Sequence, residues 1–259
     1  MKFTKRFVNT LIEIAPEFDL ACIGTSIYGL GAATIESLRY ISHARIVYCY
    51  PVTRQHAAVM RSLNRNIVDL NDSHYLAGRK FEVAYSEIIT EILRAASDGG
   101  RVVYAQQGSP TFLAYTSVQL LKLASAEGLR VVAVPGVSSF ECLLTYLAPR
   151  FDLSDVQLYN CSSIASGAVS IDRRIPCLCF NLARYASGAI GAHAEHFDPA
   201  LLDALIRKLA QFYEEDHPVF MNVVEPSGSV SEIQTSVQRL NRDLAIAPPN
   251  ATLFLPGND

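Results

Sequence analysis

Between Phe18 and Pro256 short apolar runs alternate with amphipathic stretches, and the spacing predicts strands and helices in turn. Phe18-Asp19-Leu20-Ala21-Cys22-Ile23 reads as a strand, because its apolar residues cluster over too short a length for a helix, and it runs into Gly24-Thr25-Ser26. A helix over Ile35 to Ser42 follows, then a strand over Arg45 to Tyr50 stopped by Pro51. A helix around His56 to Leu63 and a shorter strand over Ile67 to Leu70 come next. A polar loop through Tyr75 and Gly78 leads into a long helix from about Glu82 to Ser97, closed by Gly99-Gly100. Val102 to Ala105 is another strand; Gln106-Gln107-Gly108-Ser109-Pro110-Thr111 ends it and opens an amphipathic helix. A strand over Leu129 to Val134 ends in Pro135-Gly136-Val137-Ser138-Ser139 and a further helix. This alternation implies parallel pairing with right-handed crossovers, so the chain up to residue 147 is expected to be α/β.

The pattern changes near Ala148-Pro149-Arg150. Val156 to Asn160 and Ile175 to Leu182 are strand-like, separated by a loop rich in Ser, Gly and Ala from Cys161 to Ser170. A Gly-rich connection runs from Ala183 to His196, and Asp198-Pro199 supplies an N-cap and first-turn residue for the amphipathic stretch Leu201 to Tyr213. Pro218 to Val224 and Ala251 to Leu255 are further strands, so a mixed sheet with few helices is expected. The implied organisation is an arm over residues 1–17, an α/β domain with a parallel sheet over 18–147 and an α/β domain with a mixed sheet over 148–259.

Composition narrows the function. Half of the 259 residues are hydrophobic, ample for a core, and the apolar excess of the second half favours a dimer. A net charge of −3 gives no electrostatic reason to expect nucleic acid. No apolar run approaches the roughly 20 residues of a membrane span. The basic start is followed by Asn9 and Glu13, which interrupt any signal-peptide core, so a cytoplasmic protein is expected. The six cysteines form no CxxC pair, and Cys22, Cys49, Cys177 and Cys179 sit in apolar strand-like runs, where a thiol packs as a small hydrophobe. His193-Ala194-Glu195-His196 lacks the HExxH spacing that puts two imidazoles on one helix face, so no metal is expected.

The chemistry concentrates in the loops. At the carboxyl ends of strands, small residues let backbone approach a ligand, and the helix that follows offers unpaired N–H groups. The glycines at 24, 29 and 31 do not have GxGxxG spacing, and no acid ends the second strand, so a dinucleotide fold is disfavoured. A P-loop and a GxSxG nucleophile elbow are both absent.

Gly24-Thr25 after the first strand, Gly108-Ser109-Pro110 after the fourth and Pro135-Gly136-Val137-Ser138 after the fifth resemble the signature of the tetrapyrrole methylase superfamily, the class III S-adenosylmethionine-dependent methyltransferases. The resemblance implies two α/β domains with the cofactor in the cleft between them, S-adenosyl-L-homocysteine as product, and a homodimer. It implies cofactor contacts from Gly24, Gln107, Gly108, Ser109, Pro110, Phe112, Gly136, Ser138 and Ser139, and from Phe180, Asn181, Leu182, Ala251 and Thr252. Ser138 and Ser139 are equally suited to capping the following helix, and Asn181 and Thr252 to sheet packing.

Within the superfamily, the chain is most similar to borosin-type peptide backbone N-methyltransferases. Tyr85 on the long helix precedes the GxP loop, Pro135 to Leu143 resembles a PGxSAExCL element, and Ala251 to Pro256 resembles the closing strand. This implies an amide acceptor in a precursor peptide or peptide-like natural product, expected to be separate because the chain ends at Asp259. Tyr85, Tyr75 and Arg79 are the implied catalytic set: a tyrosinate beside a positive charge could deprotonate a poor amide nucleophile. For Tyr85 the alternative is aromatic packing, and for Arg79 a solvated surface charge. Phe81 stands where the family has an arginine, Gln107 replaces a tyrosine, Ser109 a histidine and Thr111 a glycine. Two other readings stay open. One is a methylase of a tetrapyrrole or other small molecule, although the loop Gly24 to Gly29 lacks the acid of tetrapyrrole enzymes; the other is a non-catalytic scaffold.

Overall fold

The computed structural model describes residues 13–27, 29–50, 54–190, 197–225, 227–244, 248 and 250–258. They fall into two compact units, the first within Met1–Leu76, Glu82–Glu141 and Pro226–Gly228, the second within Ala77–Phe81, Cys142–Glu225 and Ser229–Asp259.

The first unit is built on a parallel sheet of β1 (Leu20–Gly24), β2 (Ile46–Cys49), β3 (Ile67–Asp69), β4 (Val102–Gln106) and β5 (Val131–Val134), in the order β3-β2-β4-β1-β5. Apolar residues run almost unbroken through β1 and β4 because both faces of the sheet are covered. Alternate side chains feed two cores. Ala21, Ile23, Val103 and Ala105 pack with Tyr40, Ile41 and Met60, whereas Leu20, Cys22, Val102 and Tyr104 pack with Ile88, Ile92 and Leu120. The helices are α1 (Ile35–His43), α2 (Arg54–Leu63), α3 (Phe81–Ser97, from Glu82 onward in this unit) and α4 (Tyr115–Ala126), with the first turn of α5 (Ser139–Leu147), whose residues from Cys142 belong to the second unit. Thr34 starts α1 by accepting the Ser37 N–H at 3.0 Å. In α3 the stripe Ala84, Ile88, Ile92 and Ala96 is buried, and each such isoleucine contributes about 1.5–3 kcal/mol of burial.

The second unit is built on a mixed sheet. Its strands are β6 (Gln157–Asn160), β7 (Cys177–Phe180), β8 (Pro218–Val224), β9 (Val230–Ser236) and β10 (Thr252–Leu255), in the order β6-β7-β10-β8-β9. Only the β6–β7 pair is parallel. Helices α6 (Cys161–Ala165), α7 (Leu182–Ser187), α8 (Pro199–Leu209) and α9 (Leu240–Leu244) complete it. Asp198 caps α8 by accepting the Ala200 N–H at 2.9 Å, and Leu202, Leu205 and Leu209 pack with Cys177, Cys179, Val219, Met221, Leu253 and Leu255. Strand alternation assigns Leu178, Phe180, Phe220, Asn222, Thr252 and Phe254 to the other face.

Four of these elements, β9, α6, α7 and α9, were not foreseen from the pattern. Strand β9 has Thr235 as its single buried residue and runs along the sheet edge, so it carries no apolar signature. Helices α6 and α7 form inside stretches that read as loop, held by the buried pairs Cys161–Ile164 and Leu182–Ala186 at helical spacing. All six cysteines are buried and outside any disulfide, and burial pushes the Cys22, Cys49 and Cys161 thiols up to about 12, which leaves them unreactive. Among the described residues no group of His, Cys, Asp and Glu is arranged to hold a metal ion, and no helix is long and apolar enough to cross a membrane. Pro51 and the segment His193 to His196 lie outside the described residues.

Candidate active site

Since β4, β1 and β5 are neighbours, the loops that leave their carboxyl ends meet. The contact is backbone on backbone. A Cβ on Gly24 would lie 2.6 Å from the Gly136 nitrogen and 2.7 Å from its Cα, and would also strike the Gly108 carbonyl oxygen. A Cβ on Gly136 would lie 2.7 Å from the Gly24 carbonyl carbon. Gly108 has φ +77°, open to glycine at little cost. Hydrogen bonds join the loops: Thr25 N–H and Oγ1 donate to Gln106 O at 2.9 and 3.0 Å, and Ile27 N–H donates to Val137 O at 3.0 Å. Gln106 Nε2 donates to Ser109 O at 2.9 Å, and Gln107 Nε2 to Ile27 O at 3.4 Å. Pro110 and Phe112 follow in the same loop, and the Phe112 ring stacks on Phe140 at 5.6 Å.

Ser138 caps α5, with Phe140 N–H donating to its hydroxyl at 3.2 Å and its own N–H donating to Glu141 at 2.8 Å. Ser139 is the first residue of that helix. Backbone strain gathers at the loops: Ser26 after β1, Leu113 after the β4 loop and Asn181 after β7 hold φ values of 73°, 54° and 62°.

Five tyrosines pack beside one another in the first unit. Tyr75 lies 4.4 Å from Tyr50 and 6.3 Å from Tyr85 between ring centroids, and Tyr85 stacks on Tyr115 at 5.8 Å. The Tyr75 and Tyr104 hydroxyls are 3.3 Å apart. Burial pushes Tyr75 up to about 12, against the smaller opposing effect of the Tyr104 hydrogen bond, and raises Tyr104 well above its ordinary value. Both therefore keep their protons at neutral pH, which suits Tyr75 to donating a hydrogen bond rather than to taking a proton. Tyr85 is half-buried on α3, and Tyr115 is 48% exposed. The loop carrying Tyr75 is pinned by His74, whose Nε2 lies 3.4 Å from Glu91 and 4.0 Å from Glu87 on α3. Thus Tyr75 and Tyr85 come together. Arg79 belongs to the second unit, where its carbonyl accepts the Ile190 N–H at 2.9 Å. Phe81 lies in the same unit, with the Arg184 guanidinium 6.0 Å from its ring centroid.

In the second unit Phe180 and Leu182 are buried on either side of Asn181, whose Nδ2 donates to Asn160 Oδ1 at 2.6 Å. Ala251 and Thr252 are buried at the start of β10, with Thr252 paired to Asn222 of β8. A cleft of about 620 Å³, lined by Arg150, Asp152, Arg174, Pro218 and Asn258 among others, lies at the other ends of β7 and β8 and shares none of these residues.

The family model for tetrapyrrole (corrin/porphyrin) methylases matches residues 19–175, more than half of the chain and all three loops. The chain belongs to this family of methyltransferases. The methylase sequence is 28% identical over 206 residues to the methyltransferase/ribosomally synthesized cyclic peptide omphalotin A precursor of Omphalotus olearius, covering 77% of this chain and 47% of that protein. It is 21% identical over 244 residues to the type II borosin cyclic peptide precursor of Phlebiopsis gigantea, covering 92% of this chain and 42% of that one. It spans less than half the length of these curated relatives. Two solved structures share the fold. They are a cobalamin biosynthetic cobalt precorrin-4 methyltransferase (TM-score 0.62, 15% identity, 94% of this chain and 98% of that one) and uroporphyrin-III-C-methyltransferase of Thermus thermophilus (TM-score 0.60, 16% identity, 92% and 94%).

Membership of the methylase family implies S-adenosylmethionine as methyl donor. The residues present fit that group. Small residues line three joined loops in the first unit, and in the second a buried amide oxygen, Asn222 Oδ1, lacks a donor among the described residues beside Thr252. Tyr50, Tyr104, Tyr115, His74 and Asn222 were missed in the sequence. Asn222 alone carried a signal there, as an amide inside the apolar run Pro218 to Val224.

Proposed function

We propose that this methylase transfers the methyl group of S-adenosylmethionine to a backbone amide of a peptide or peptide-like acceptor, with Tyr85 as general base. The observation that carries the reading is the pairing of Tyr85 with Tyr75 at 6.3 Å in a chain similar, over 77% of its length, to methyltransferase precursors of cyclic peptides.

Gly24, Gln107, Gly108, Ser109, Pro110, Phe112, Gly136, Ser138 and Ser139 of the first unit, and Phe180, Asn181, Leu182, Ala251 and Thr252 of the second, are the residues that would hold the cofactor. When bound, S-adenosylmethionine supplies an electrophilic methyl group. The chain's own task is to make an amide nitrogen nucleophilic and to exclude water from it. The Tyr85 phenolate oxygen takes the amide proton, while Tyr75 and Tyr104, which stay protonated, share a hydrogen bond beside its ring. Arg79 is the proposed source of the positive charge that favours the phenolate. A homodimer in the cytoplasm and a precursor peptide as the acceptor complete the reading. A small-molecule acceptor is the second reading, motivated by Phe81 and Gln107 in place of the family's arginine and tyrosine.

Calorimetry on protein freed of co-purified ligand tests the donor: one site for S-adenosylmethionine and S-adenosylhomocysteine is expected, and no binding at millimolar ligand overturns the reading. Mass spectrometry of synthetic apolar peptides incubated with enzyme and donor tests the acceptor. Backbone N-methylation supports the peptide reading, and methylation of small molecules alone replaces it. Light scattering that gives only monomer mass at micromolar concentration removes the dimer.

A further inference from the structure

Asn222 is the one amide in β8, a strand that is otherwise Pro-Val-Phe-Met before it and Val-Val after it, and it is 1% exposed. Register sets it beside Thr252 of β10, and the antiparallel pairing of β10 with β7 continues the same row to Phe180, one step beyond the Leu253–Cys179 pair. Direct cross-strand partners share a face, so Phe180, Thr252 and Asn222 stand side by side near the carboxyl ends of β7 and β8. Two residues further along the same face, the Phe220 and Phe254 rings lie 6.1 Å apart. On the outer side of Asn222 the row ends at Glu232 of β9, whose two carboxylate oxygens accept from Arg150 at 2.8 and 2.7 Å. The charge there is already matched.

The amide has one orientation. Its Nδ2 donates to the Phe220 carbonyl at 3.1 Å, and turning the group over would set oxygen against oxygen. Its Oδ1 is thereby left as an acceptor, buried and with no donor among the described residues. Native proteins rarely leave such an atom unsatisfied without a ligand, ion or water to complete it.

We propose that Asn222 Oδ1 accepts a hydrogen bond from the exocyclic amino group of the adenine in the bound methyl donor, making Asn222 a specificity-determining residue for the adenosyl moiety; this rests on the methyl-donor reading above. A neutral acceptor among Phe180, Phe220, Phe254 and Thr252 matches a neutral, planar, amino-bearing ring better than it matches an ammonium group, which calls for an unpaired carboxylate. A 6-oxo purine would instead present an oxygen to the Asn222 oxygen, and the two acceptors would repel.

The test is calorimetry on the full chain with two ligands, S-adenosylhomocysteine and its 6-oxo analogue S-inosylhomocysteine. The native protein should bind the amino form about tenfold to a hundredfold more tightly, the range set by one buried hydrogen bond made or left unmade. Asn222→Leu keeps a similar volume without the acceptor; it should lose affinity for the amino form by about that factor and bring the ratio near one. A ratio near one in the native protein overturns the proposal, and that measurement needs no variant to fold. Retention of the preference in Asn222→Leu overturns it as well, since other groups would then read the base; a water-filled site gives the first of these results. Failure of both ligands to bind the native protein defeats the methyl-donor reading itself, and the role of Asn222 with it.

Discussion

The two units raise candidate site residues by different means. In the first, the residues sit on loops beyond the ends of parallel strands, and their placement follows from sheet order, because β4, β1 and β5 are neighbours. In the second, they sit inside or at the ends of strands, and their placement follows from register, which aligns Phe180, Thr252 and Asn222 across three strands. Loop sites show in a sequence as runs of small residues. Row sites show only once pairing is known, because three positions far apart in the chain become one line.

The sharpest way to break the first arrangement is Gly136→Val. Its Cβ would meet Gly24 backbone at 2.7 Å, so the loops must part, with an expected cost of about 1–3 kcal/mol or more and loss of donor binding. Thermal melts and calorimetry read both, and Gly31→Ala, where an added Cβ meets nothing within 4 Å, serves as the control. A Gly136→Val protein that melts and binds as the native one does would show that the loops are not mutually locked.

Next in size is Tyr85→Phe. Turnover on a verified acceptor should fall about 100-fold or more with donor affinity nearly unchanged, as expected of a general base outside the cofactor loops. Undiminished turnover removes the amide mechanism while leaving methyl transfer in place. Arg79→Ala should lower turnover less, and an unchanged rate assigns it to the surface.

A pH effect on stability comes third. Tyr75 is raised to about 12 in the folded chain against an unfolded value near its ordinary 10, so the folded state holds a proton that the unfolded state releases. Its contribution is complete below about pH 10 and lost as pH rises toward 12. The buried thiols Cys22, Cys49 and Cys161, also raised to about 12, act in the same direction from about pH 9 upward. Melting temperatures should therefore drop on the alkaline side, and Tyr75→Phe should drop less steeply than the native protein; equal slopes would exclude Tyr75 from the effect.

The smallest change belongs to the second unit. Arg150 grips Glu232 with two hydrogen bonds and lies 4.7 Å from the Tyr146 ring centroid. Arg150→Lys keeps the charge but not the fork, and about 0.5–1 kcal/mol of stability should go with it at this partly exposed site. Denaturant titration is precise enough to detect that, and a null result would mark the pair as decorative.

How much of this was legible beforehand follows the same division. The parallel sheet could be read because β1 and β4 are buried on both faces and advertise it with apolar runs. Strand β9 could not, since an edge strand with polar residues resembles a loop, and α6 and α7 are too short for periodicity to emerge. Gly24, Gly108 and Gly136 could be singled out, although the structure gives their smallness an additional cause, the packing of loop on loop. Tyr50, Tyr104 and Tyr115 looked like ordinary strand or helix aromatics, and only folding gathers them around Tyr75 and Tyr85.

The joined glycines also bear on how such a protein can diverge. Gly24 and Gly136 confine each other, so a side chain at either position would strike the backbone of the other. Freedom to change lies where side chains rather than backbones meet, at positions such as Phe81, Gln107, Ser109 and Thr111. Those are the places where this chain departs from the borosin pattern. New acceptors are therefore expected to be acquired around a fixed knot of backbone, by altering what surrounds it.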